Sequence, residues 1–411
     1  MKKTPLLLKL SHTNNDEWEH TYNILFNNPF SVHIDIPIKQ YRATKSYPAF
    51  FYYTPDIIEL LEKIRKETLV LNRVMNKLPP IALEHFTTTC MIEEILFTNE
   101  IEGIRSSRSE IRTILNTVLS KANPHAIRLG SVVGKYILLN KKESFSFDDA
   151  TELRSFYDDF VAEEVTNEDP GNTLDGKILR ADMVDVKSPG GKVIHQGAYP
   201  EKDLINYTNQ AFSLLHNNSI PDLIRVSVFH YLFGYLHPFY DGNGRTSRFI
   251  TSFFLSKMLN KLVAFRLSIT IKKSLRTYYK LFANTNDIRN RGDLTPFITG
   301  FLWIIEQSIL RTIELLREKK TELTNLTRIL DHHQDFKDKR DKQIAFVLLQ
   351  ATLFSDAGAS VKEISHTIDK AEETVKRRLK KIKPYTLINT EQRAYLYKLD
   401  LNKLKGIKST Q

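Results

Sequence analysis

The sequence predicts a mainly α-helical protein with one small β-hairpin and a C-terminal helix-turn-helix-like domain. Apolar residues recur at helical spacing along most of the 411 residues. The spacing changes to the alternation typical of strands only in a few short stretches, one of which surrounds a glycine turn at Pro189–Gly191. The tail is basic, with 13 Lys and Arg against 6 Asp and Glu in residues 361–411.

The overall composition limits the kinds of protein that this chain can be. A hydrophobic content of 41% and a charged content of 26% are those of an ordinary soluble globular protein, and the length suggests two or three domains. The single cysteine, Cys90, excludes an intrachain disulfide and fits a reducing compartment. Lys9 ends the apolar run near the amino terminus, and Lys257 interrupts the longest apolar stretch, 249–265. We therefore expect a cytoplasmic protein with neither a signal peptide nor a membrane partner.

Residues 1–105 are predicted to form an N-terminal region. We expect irregular or short-stranded structure over 1–50, where prolines are scattered among aromatic residues. One helix is predicted from residue 55 to the double proline at 79–80, and a second over 81–97.

Residues 106–330 are predicted to form the helical core of the protein. Helical patterns at 109–119, 124–139 and 147–160 indicate scaffold helices without assigned chemistry. Residues 294–330, rich in Leu and Ile, indicate one or two long helices.

This core is organised around a polar stretch, His237–Arg248, between two segments that are apolar nearly all round, 223–236 and 249–259. Segments of that length and character indicate buried helices. Gly242 and Gly244 permit a tight loop whose peptide N–H groups point at one anion, and the N-terminus of the following helix adds partial positive charge. The stretch therefore predicts a phosphate-binding loop between two core helices.

Four side chains of this loop carry its chemistry. Arg245 and Arg248 are three residues apart, so both leave one helix face and can bind phosphate oxygens. Asp241, at the mouth of the loop, is a candidate ligand of Mg²⁺, which typically takes one or two carboxylates plus substrate oxygens. His237 is a candidate general base because imidazole titrates near neutral pH. The loop lacks the Gly-Lys-Ser/Thr ending of a Walker loop, and Ser247 stands where a dinucleotide-binding loop needs its third glycine.

The pattern His-Pro-Phe-x-Asp-Gly-Asn-Gly-Arg-x-x-Arg resembles the signature of the Fic family of AMP-transferases at every defined position. A plain glycine turn with solvated charges, the alternative, does not require His, Asp, Asn and two Arg together. The resemblance implies a Fic helical bundle with a β-hairpin flap, ATP and Mg²⁺ as cofactors, His237 as the catalytic base and Asp241 as the metal ligand. The ATP-binding residues that it implies are Phe239, Gly242, Asn243, Gly244, Arg245, Arg248 and, against the adenine, Tyr279. Packing of the paired Tyr278 and Tyr279 is the alternative to that adenine contact.

A second motif ends the N-terminal region at Thr98–Gly103. Taken alone, it is a helix end capped by Gly103 with two surface acids. It resembles the inhibitory motif of the Fic family, Ser/Thr-x-x-x-Glu-Gly/Asn, with Thr98, Glu102 and Gly103 in the defined places. The resemblance implies that Glu102 pairs with Arg248 and occupies the place of the γ-phosphate of ATP. In the family such glutamates can also support removal of AMP by water.

Two short strands, 183–186 and 192–195, are predicted on either side of the glycine turn. By resemblance to the family, this hairpin is a flap that holds a segment of the target protein as an added edge strand. The flap residues are Val184, Val186, Val193 and Ile194. A plain surface hairpin is the alternative.

The C-terminal part is predicted to be a linker, 331–342, followed by a domain over 343–411. Its order of three helices and two strands resembles a winged helix-turn-helix. The third helix, 372–382, has basic side chains at Lys376, Arg377, Arg378, Lys380 and Lys381. DNA binding, protein docking and a merely solvated basic face all remain open for this domain.

Together these resemblances imply a protein adenylyltransferase, which transfers AMP from ATP to a Tyr, Thr or Ser hydroxyl of a protein, self-modification included, and which is restrained by Glu102. One alternative is a DNA-binding transcription regulator with a nucleotide-sensing Fic core. Another is a Fic enzyme that transfers a different phosphate-linked group, such as UMP or phosphocholine. The target protein and assembly as a monomer or homodimer stay open.

Overall fold

The computed structural model of the chain describes residues 7–120, 123–187, 190–389 and 395–406. These residues form two compact units, residues 7–68 with 93–309, and residues 69–92 with 310–406. The fold is mainly α-helical, as predicted, and the strands form small antiparallel sheets.

The elements up to residue 196, in chain order, are α1 Leu7–Leu10, α2 Asn15–Phe26, β1 Ser31–Lys39, β2 Ser46–Tyr52, α3 Pro55–Met75, α4 Pro80–Ile101, α5 Arg108–Leu119, α6 Gly130–Asn140, α7 Ala150–Tyr157, a π-helical turn Asp158–Ala162, α8 Glu163–Glu168, β3 Asp185–Lys187 and β4 Val193–Gln196. The remainder are α9 Glu201–Leu215, α10 Asp222–Leu236, α11 Asn243–Met258, α12 Lys261–Ala264, α13 Leu267–Lys273, α14 Leu275–Asn286, α15 Thr295–His332, α16 Lys339–Phe354, β5 Ala359–Ser360, α17 Val361–Ile368, α18 Glu372–Lys381, β6 Thr386–Asn389, β7 Leu396–Leu399 and α19 Leu401–Leu404.

The centre of the first unit is α10, which packs against α9 and α11. Nearly every side chain from Leu223 to Leu236 is buried. A helix that is apolar all round is stable only when other elements surround it, and this explains its place in the core. Both helices predicted around the polar loop, α10 and α11, are therefore confirmed.

The N-terminal residues, for which irregular or short-stranded structure was expected, form two helices and a regular hairpin. Strands β1 and β2 pair antiparallel, with a bulge between Ile34 and Pro37. The hydroxyl of Tyr235 on α10 donates to the Pro37 carbonyl at 2.9 Å and accepts the Lys39 N–H at 2.8 Å. Pro37 and Pro48 face each other in the register, beside the bulge. Pro37 and Pro48, which by themselves favour irregular structure, therefore lie beside a bulge, where a strand tolerates proline.

The predicted elements of the C-terminal part are present. Helices α16, α17 and α18 and strands β6 and β7 lie within a few residues of the predicted limits, and the short strand β5 was missed. The three strands pair in the order β5-β7-β6. The winged helix-turn-helix assignment stays a prediction.

Residues 331–342, predicted as a linker, are packed into the second unit. The chain leaves α15 at His332, and Phe336 and Asp341 are fully buried. Arg378 and Lys381 donate to the Asp341 carboxylate at 3.0 and 2.7 Å. A buried carboxylate needs such partners, so this segment is fixed to α18. The other predicted domain limits stay predictions.

No helix among the described residues has a stretch that is long and apolar enough to cross a membrane.

Candidate active site

The polar loop is closed by two residues in the left-handed conformation. His237 ends α10 with φ +52° and donates its N–H to the Phe233 carbonyl at 3.0 Å. Gly242, with φ +76°, precedes α11, which begins at Asn243. The N–H groups in the first turn of a helix have no intrahelical acceptor, so those of α11 form an anion-binding end beside His237.

Phe239 and Asn243, predicted to bind ATP, hold the loop together in the structure. The ring of Phe239 is fully buried and stacks on Tyr157 with centroids 3.7 Å apart. The Asn243 amide accepts the Phe239 N–H at 3.0 Å and donates to the Phe239 carbonyl at 2.7 Å. Both side chains are therefore committed to the shape of the loop.

The segment formed by α7, the π-helical turn and α8 lies beneath the loop. The Tyr157 hydroxyl donates to the Asp241 carbonyl at 3.1 Å. A Cβ at position 242 would lie only 3.0 Å from the Val161 side chain and 3.3 Å from Val165. Close packing and a positive φ together explain why glycine is needed at 242.

Arg245 is buried and has unused donors. It is 1% exposed, and its Nη1 donates to the Glu164 carboxylate at 2.8 Å. Its Nε and Nη2 are buried without a hydrogen-bond partner among the described residues. Burial also raises the pKa of Glu164. Unpaired buried donors are costly, and an anion such as a phosphate would satisfy them.

Arg248 joins the loop to the N-terminal motif. Its Nε donates to Thr98 Oγ1 at 2.8 Å, and its Nη2 donates to the Thr98 carbonyl at 3.0 Å and to Glu102 Oε1 at 2.7 Å. Arg248 is 1% exposed, whereas the Glu102 side chain is 27% exposed. Gly103 follows with φ +79° and turns the chain away at the end of α4. The structure thus brings Thr98, Glu102 and Arg248 together.

The Glu102 carboxylate also lies directly over Gly244. A Cβ built at position 244 would meet Glu102 Oε1 at 2.0 Å and Oε2 at 2.9 Å. The carboxylate therefore rests against the first turn of α11, where the helix dipole favours an anion.

A chain of buried hydrogen bonds lies close to Arg248. The Tyr278 hydroxyl donates to His230 Nε2 at 2.8 Å. His230 Nδ1–H then donates to Thr251 Oγ1 at 2.8 Å. Burial, followed by the charge of Arg248, lowers the pKa of His230 to about 3, so this ring is neutral and can play both roles. Tyr278 thus packs within the core, whereas Tyr279 is 38% exposed.

Replacing Tyr278 by phenylalanine should therefore destabilise the protein by about 1–3 kcal/mol, because it leaves the buried Nε2 of His230 without its hydrogen-bond partner. Tyr279→Phe is the matched control and should change stability by less than about 0.5 kcal/mol. Urea denaturation followed by circular dichroism measures both values. Equal stabilities of the two variants would contradict the hydrogen-bond chain.

His237 is held as a neutral imidazole. Burial, reinforced by the neighbouring His195, lowers the pKa of His237 to about 4. Its Nδ1 faces the Gly234 carbonyl at 3.4 Å, and a carbonyl can only accept, which places the ring proton on Nδ1. Nε2 is then the basic nitrogen.

Arg180 fixes the start of the loop to the hairpin of β3 and β4. Its guanidinium donates to the carbonyls of His237 at 2.8 Å, Leu236 at 3.2 Å and Ala198 at 2.8 Å, and also to that of Asp182. Arg180 is 1% exposed, and burial lowers its pKa to about 10. One buried side chain therefore ties the end of α10 to both ends of the hairpin.

The hairpin itself lies slightly later in the chain than predicted. Strands β3 and β4 pair antiparallel, with Val186 opposite His195. Val184 precedes β3, and its carbonyl accepts the Gly197 N–H at 3.0 Å. Ile194 is 49% exposed, and Val193 and Val186 are half-buried. Positions 188 and 189 of the predicted turn lie outside the described residues.

The sequence alone does not point to three residues that support the loop, which are Tyr157, Glu164 and Arg180. Each reaches the loop from 57 to 84 residues away along the chain. Glu163 and Glu164 resemble an ordinary solvated acidic pair, and no local pattern marks Arg180 or Tyr157.

Comparison with known sequences agrees with this geometry. Residues 149–255, which include the loop and the helix beneath it, match the family described as Fic/DOC. The chain is 26% identical over 264 residues to a protein adenylyltransferase Fic from Nematostella vectensis, covering 61% of this chain and 55% of that protein. It is 26% identical over 257 residues to the protein of the same name from Drosophila ananassae, covering 60% and 47%. The chain thus spans about half the length of the curated relatives that it matches.

A solved structure shares the fold. The crystal structure of a Fic family protein from Desulfovibrio desulfuricans G20 superposes with a TM-score of 0.50 at 17% identity, covering 84% of this chain and 96% of that one. Residues 149–255, which carry the loop signature, are thus similar to the Fic/DOC family, and the chain shares the helical fold of a solved Fic family protein.

Proposed function

We propose that the chain transfers AMP from ATP to a hydroxyl group of a protein. The observation that carries this proposal is the placement of a neutral, half-buried base, His237, beside two buried arginines in the first turns of α11. One group accepts a proton, and the others bind the charge of a phosphate chain.

His237 would accept the proton of the target hydroxyl on Nε2, since its other nitrogen carries hydrogen toward Gly234. The hydroxyl oxygen forms a bond to the α-phosphorus, the bond from that phosphorus to the bridging oxygen breaks, and pyrophosphate leaves with the bonding electrons. A neutral imidazole is required for this step, and the lowered pKa of His237 supplies it at neutral pH.

The phosphates of ATP would lie against the N-terminus of α11. Arg245 fits this role because its Nε and Nη2 lack partners among the described residues. Arg248 would donate to the terminal phosphate once Glu102 has left. Gly244 fits because any larger residue would fill the space that Glu102 now takes.

Asp241 is the residue that would hold Mg²⁺. Its Oδ1 accepts the Gly242 N–H at 2.5 Å, which orients the carboxylate toward the loop. The described residues contain no cluster of three or more His, Cys, Asp or Glu that could hold a metal ion by itself. A single carboxylate suits Mg²⁺, which takes the rest of its ligands from phosphates and water. When bound, the ion neutralises charge on the phosphate oxygens.

Glu102 would restrain the reaction. It accepts from Arg248 at 2.7 Å and covers Gly244, so a phosphate and this carboxylate would need the same donors and the same space. Reversal of the transfer, in which water removes AMP from a modified target, is a second direction that the same groups would allow.

The target would approach over the hairpin. Strands β3 and β4 form a two-stranded sheet, so an extended segment can add to an open edge through backbone hydrogen bonds. Arg180 supports this role because it fixes the hairpin to the carbonyl of the catalytic residue.

The position of the label in ATP tests the reaction class. The Glu102→Ala variant, incubated with ATP labelled in the α-phosphate, should become labelled itself or label a target in a lysate. ATP labelled in the γ-phosphate should give no protein label, because pyrophosphate leaves. Label from the γ-phosphate would contradict the proposal, and label from UTP or CDP-choline alone would favour transfer of UMP or phosphocholine instead.

A further inference from the structure

The second unit carries a groove that AMP transfer does not use. It has a volume of about 850 Å³ and lies between α18, the start of α17 and the strands β6 and β7. Ile388 and Tyr395, on its strand side, are 47% and 63% exposed.

Basic side chains dominate this groove. Its cationic lining residues are Lys362, Lys376, Arg377, Lys380 and Lys383, and its acidic ones are Glu372 and Glu373. Lys376 lies 3.7 Å from Glu373. Arg377, Lys380 and Lys383 form no ion pair with any residue that the structure describes. The groove therefore offers several uncompensated positive charges to an anionic partner.

The structure divides the basic residues of α18 into two sets. Arg378 binds Asp338 at 2.8 Å and Asp341 at 3.0 Å, and Lys381 binds Asp341 at 2.7 Å. These two are three residues apart and anchor the helix. Arg377 and Lys380 have the same spacing on the adjacent face, and they line the groove.

The helices around the groove have helix-turn-helix connectivity. A three-residue turn, 369–371, joins α17 to α18, and Asp369 in this turn has φ +52°. Val375 and Leu379 bury the underside of α18, which leaves its basic face outward. The antiparallel strands β6 and β7 follow directly.

We propose that this groove binds duplex DNA. Arg377, Lys380 and Lys383 bind backbone phosphates, and α18 lies in the major groove as the second helix of the helix-turn-helix. Glu372 and Glu373 then occupy the first turn of that helix, whose N-terminal residues contact base edges. Carboxylates at that place accept hydrogen bonds from the amino group of cytosine.

Salt-dependent binding of the full chain to DNA tests this inference. The probe is a fluorescein-labelled duplex of about 20 base pairs and mixed sequence, measured by anisotropy over a series of salt concentrations. The triple variant Arg377→Ala, Lys380→Ala, Lys383→Ala should bind at least about tenfold more weakly. Its slope of log affinity against log salt should be smaller by about 3, one unit for each lost phosphate contact.

A second triple variant gives a matched control. Lys337, Lys339 and Arg340 are exposed in the same unit, outside the groove, and their change to alanine removes the same charge. This control should keep the parent's affinity within about threefold and its salt slope within about one unit. Equal losses in the two triple variants, or no binding by the parent, would overturn the proposal. Tighter binding to single-stranded RNA than to duplex DNA would also overturn it.

The DNA-binding measurement is independent of AMP transfer. The groove variant should keep the parent's labelling by ATP, since none of its substituted residues belongs to the candidate active site. Loss of DNA binding with labelling intact therefore separates this inference from the proposed function.

Discussion

His237→Asn should lower AMP transfer by about 100- to 10,000-fold, the range that a general base typically contributes. Asparagine is the informative substitution because it tolerates the left-handed conformation that His237 adopts at φ +52°, whereas alanine would add backbone strain. An amide cannot take a proton at neutral pH. Labelling by α-labelled ATP, in the Glu102→Ala background, is the measurement.

His20→Asn is the control for this variant, because His20 is exposed on α2 and lies outside the site. It should keep the full rate, and both variants should unfold near the parent's temperature. A His237→Asn variant that retains more than about a tenth of the rate would mean that another group takes the proton.

The pH dependence of the transfer rate tests the role of His237 independently. Its pKa of about 4 keeps the imidazole neutral well below the usual value of 6.5, so the rate should stay level between pH 7.5 and 5.5. Below pH 6.5 the unfolded chain protonates the rings of His230 and His237 while the native state does not, so stability falls in that range. Circular dichroism at each pH separates this loss of fold from loss of the base.

Glu102→Ala should raise the labelling rate by about 10- to 150-fold. A hydrogen bond to a charged group contributes about 1.5–3 kcal/mol, and an anion that binds Arg248 must first replace the bond to Glu102. The gain follows from release of Arg248 and of the space over Gly244. Initial rates at equal protein concentrations, with α-labelled ATP well below its KM, measure the gain.

Glu100→Ala is the matched control on the same turn of α4. Glu100 binds Lys272 at 3.0 Å near the surface and does not contact Arg248. Its replacement removes one negative charge at nearly the same place, yet should leave the rate unchanged within about twofold. Equal activation by both variants would assign the effect to net charge and contradict the restraint by Glu102.

The sequence predicted those parts of the site whose residues are close together in the chain. The loop from His237 to Arg248 is contiguous, so its glycines, charges and flanking helices could be interpreted together. The contact of Glu102 with Arg248 spans 146 residues, and only a family motif pointed to it. Similarly, α18 and the strands after it carry strong local patterns, and their limits were predicted closely.

The remaining parts depend on contacts that leave no local pattern. Arg180 serves four backbone carbonyls, and a single arginine in a mixed segment does not show this. Glu164 resembles a solvated acid until the fold buries it against Arg245. Phe239 and Asn243 belong to the family signature, but the signature alone does not separate residues that shape a loop from residues that face a ligand.

The position of Glu102 over Gly244 has a kinetic consequence. A carboxylate fixed to the same chain is a tethered competitor, whose effective concentration, on the order of millimolar for short tethers, does not change with the amount of protein. Only the concentration of ATP changes the fraction of the protein in which nucleotide has replaced Glu102. Under the proposed function, the restraint would therefore raise the apparent KM for ATP and leave kcat nearly intact, so that the chain's output follows the ATP level around it.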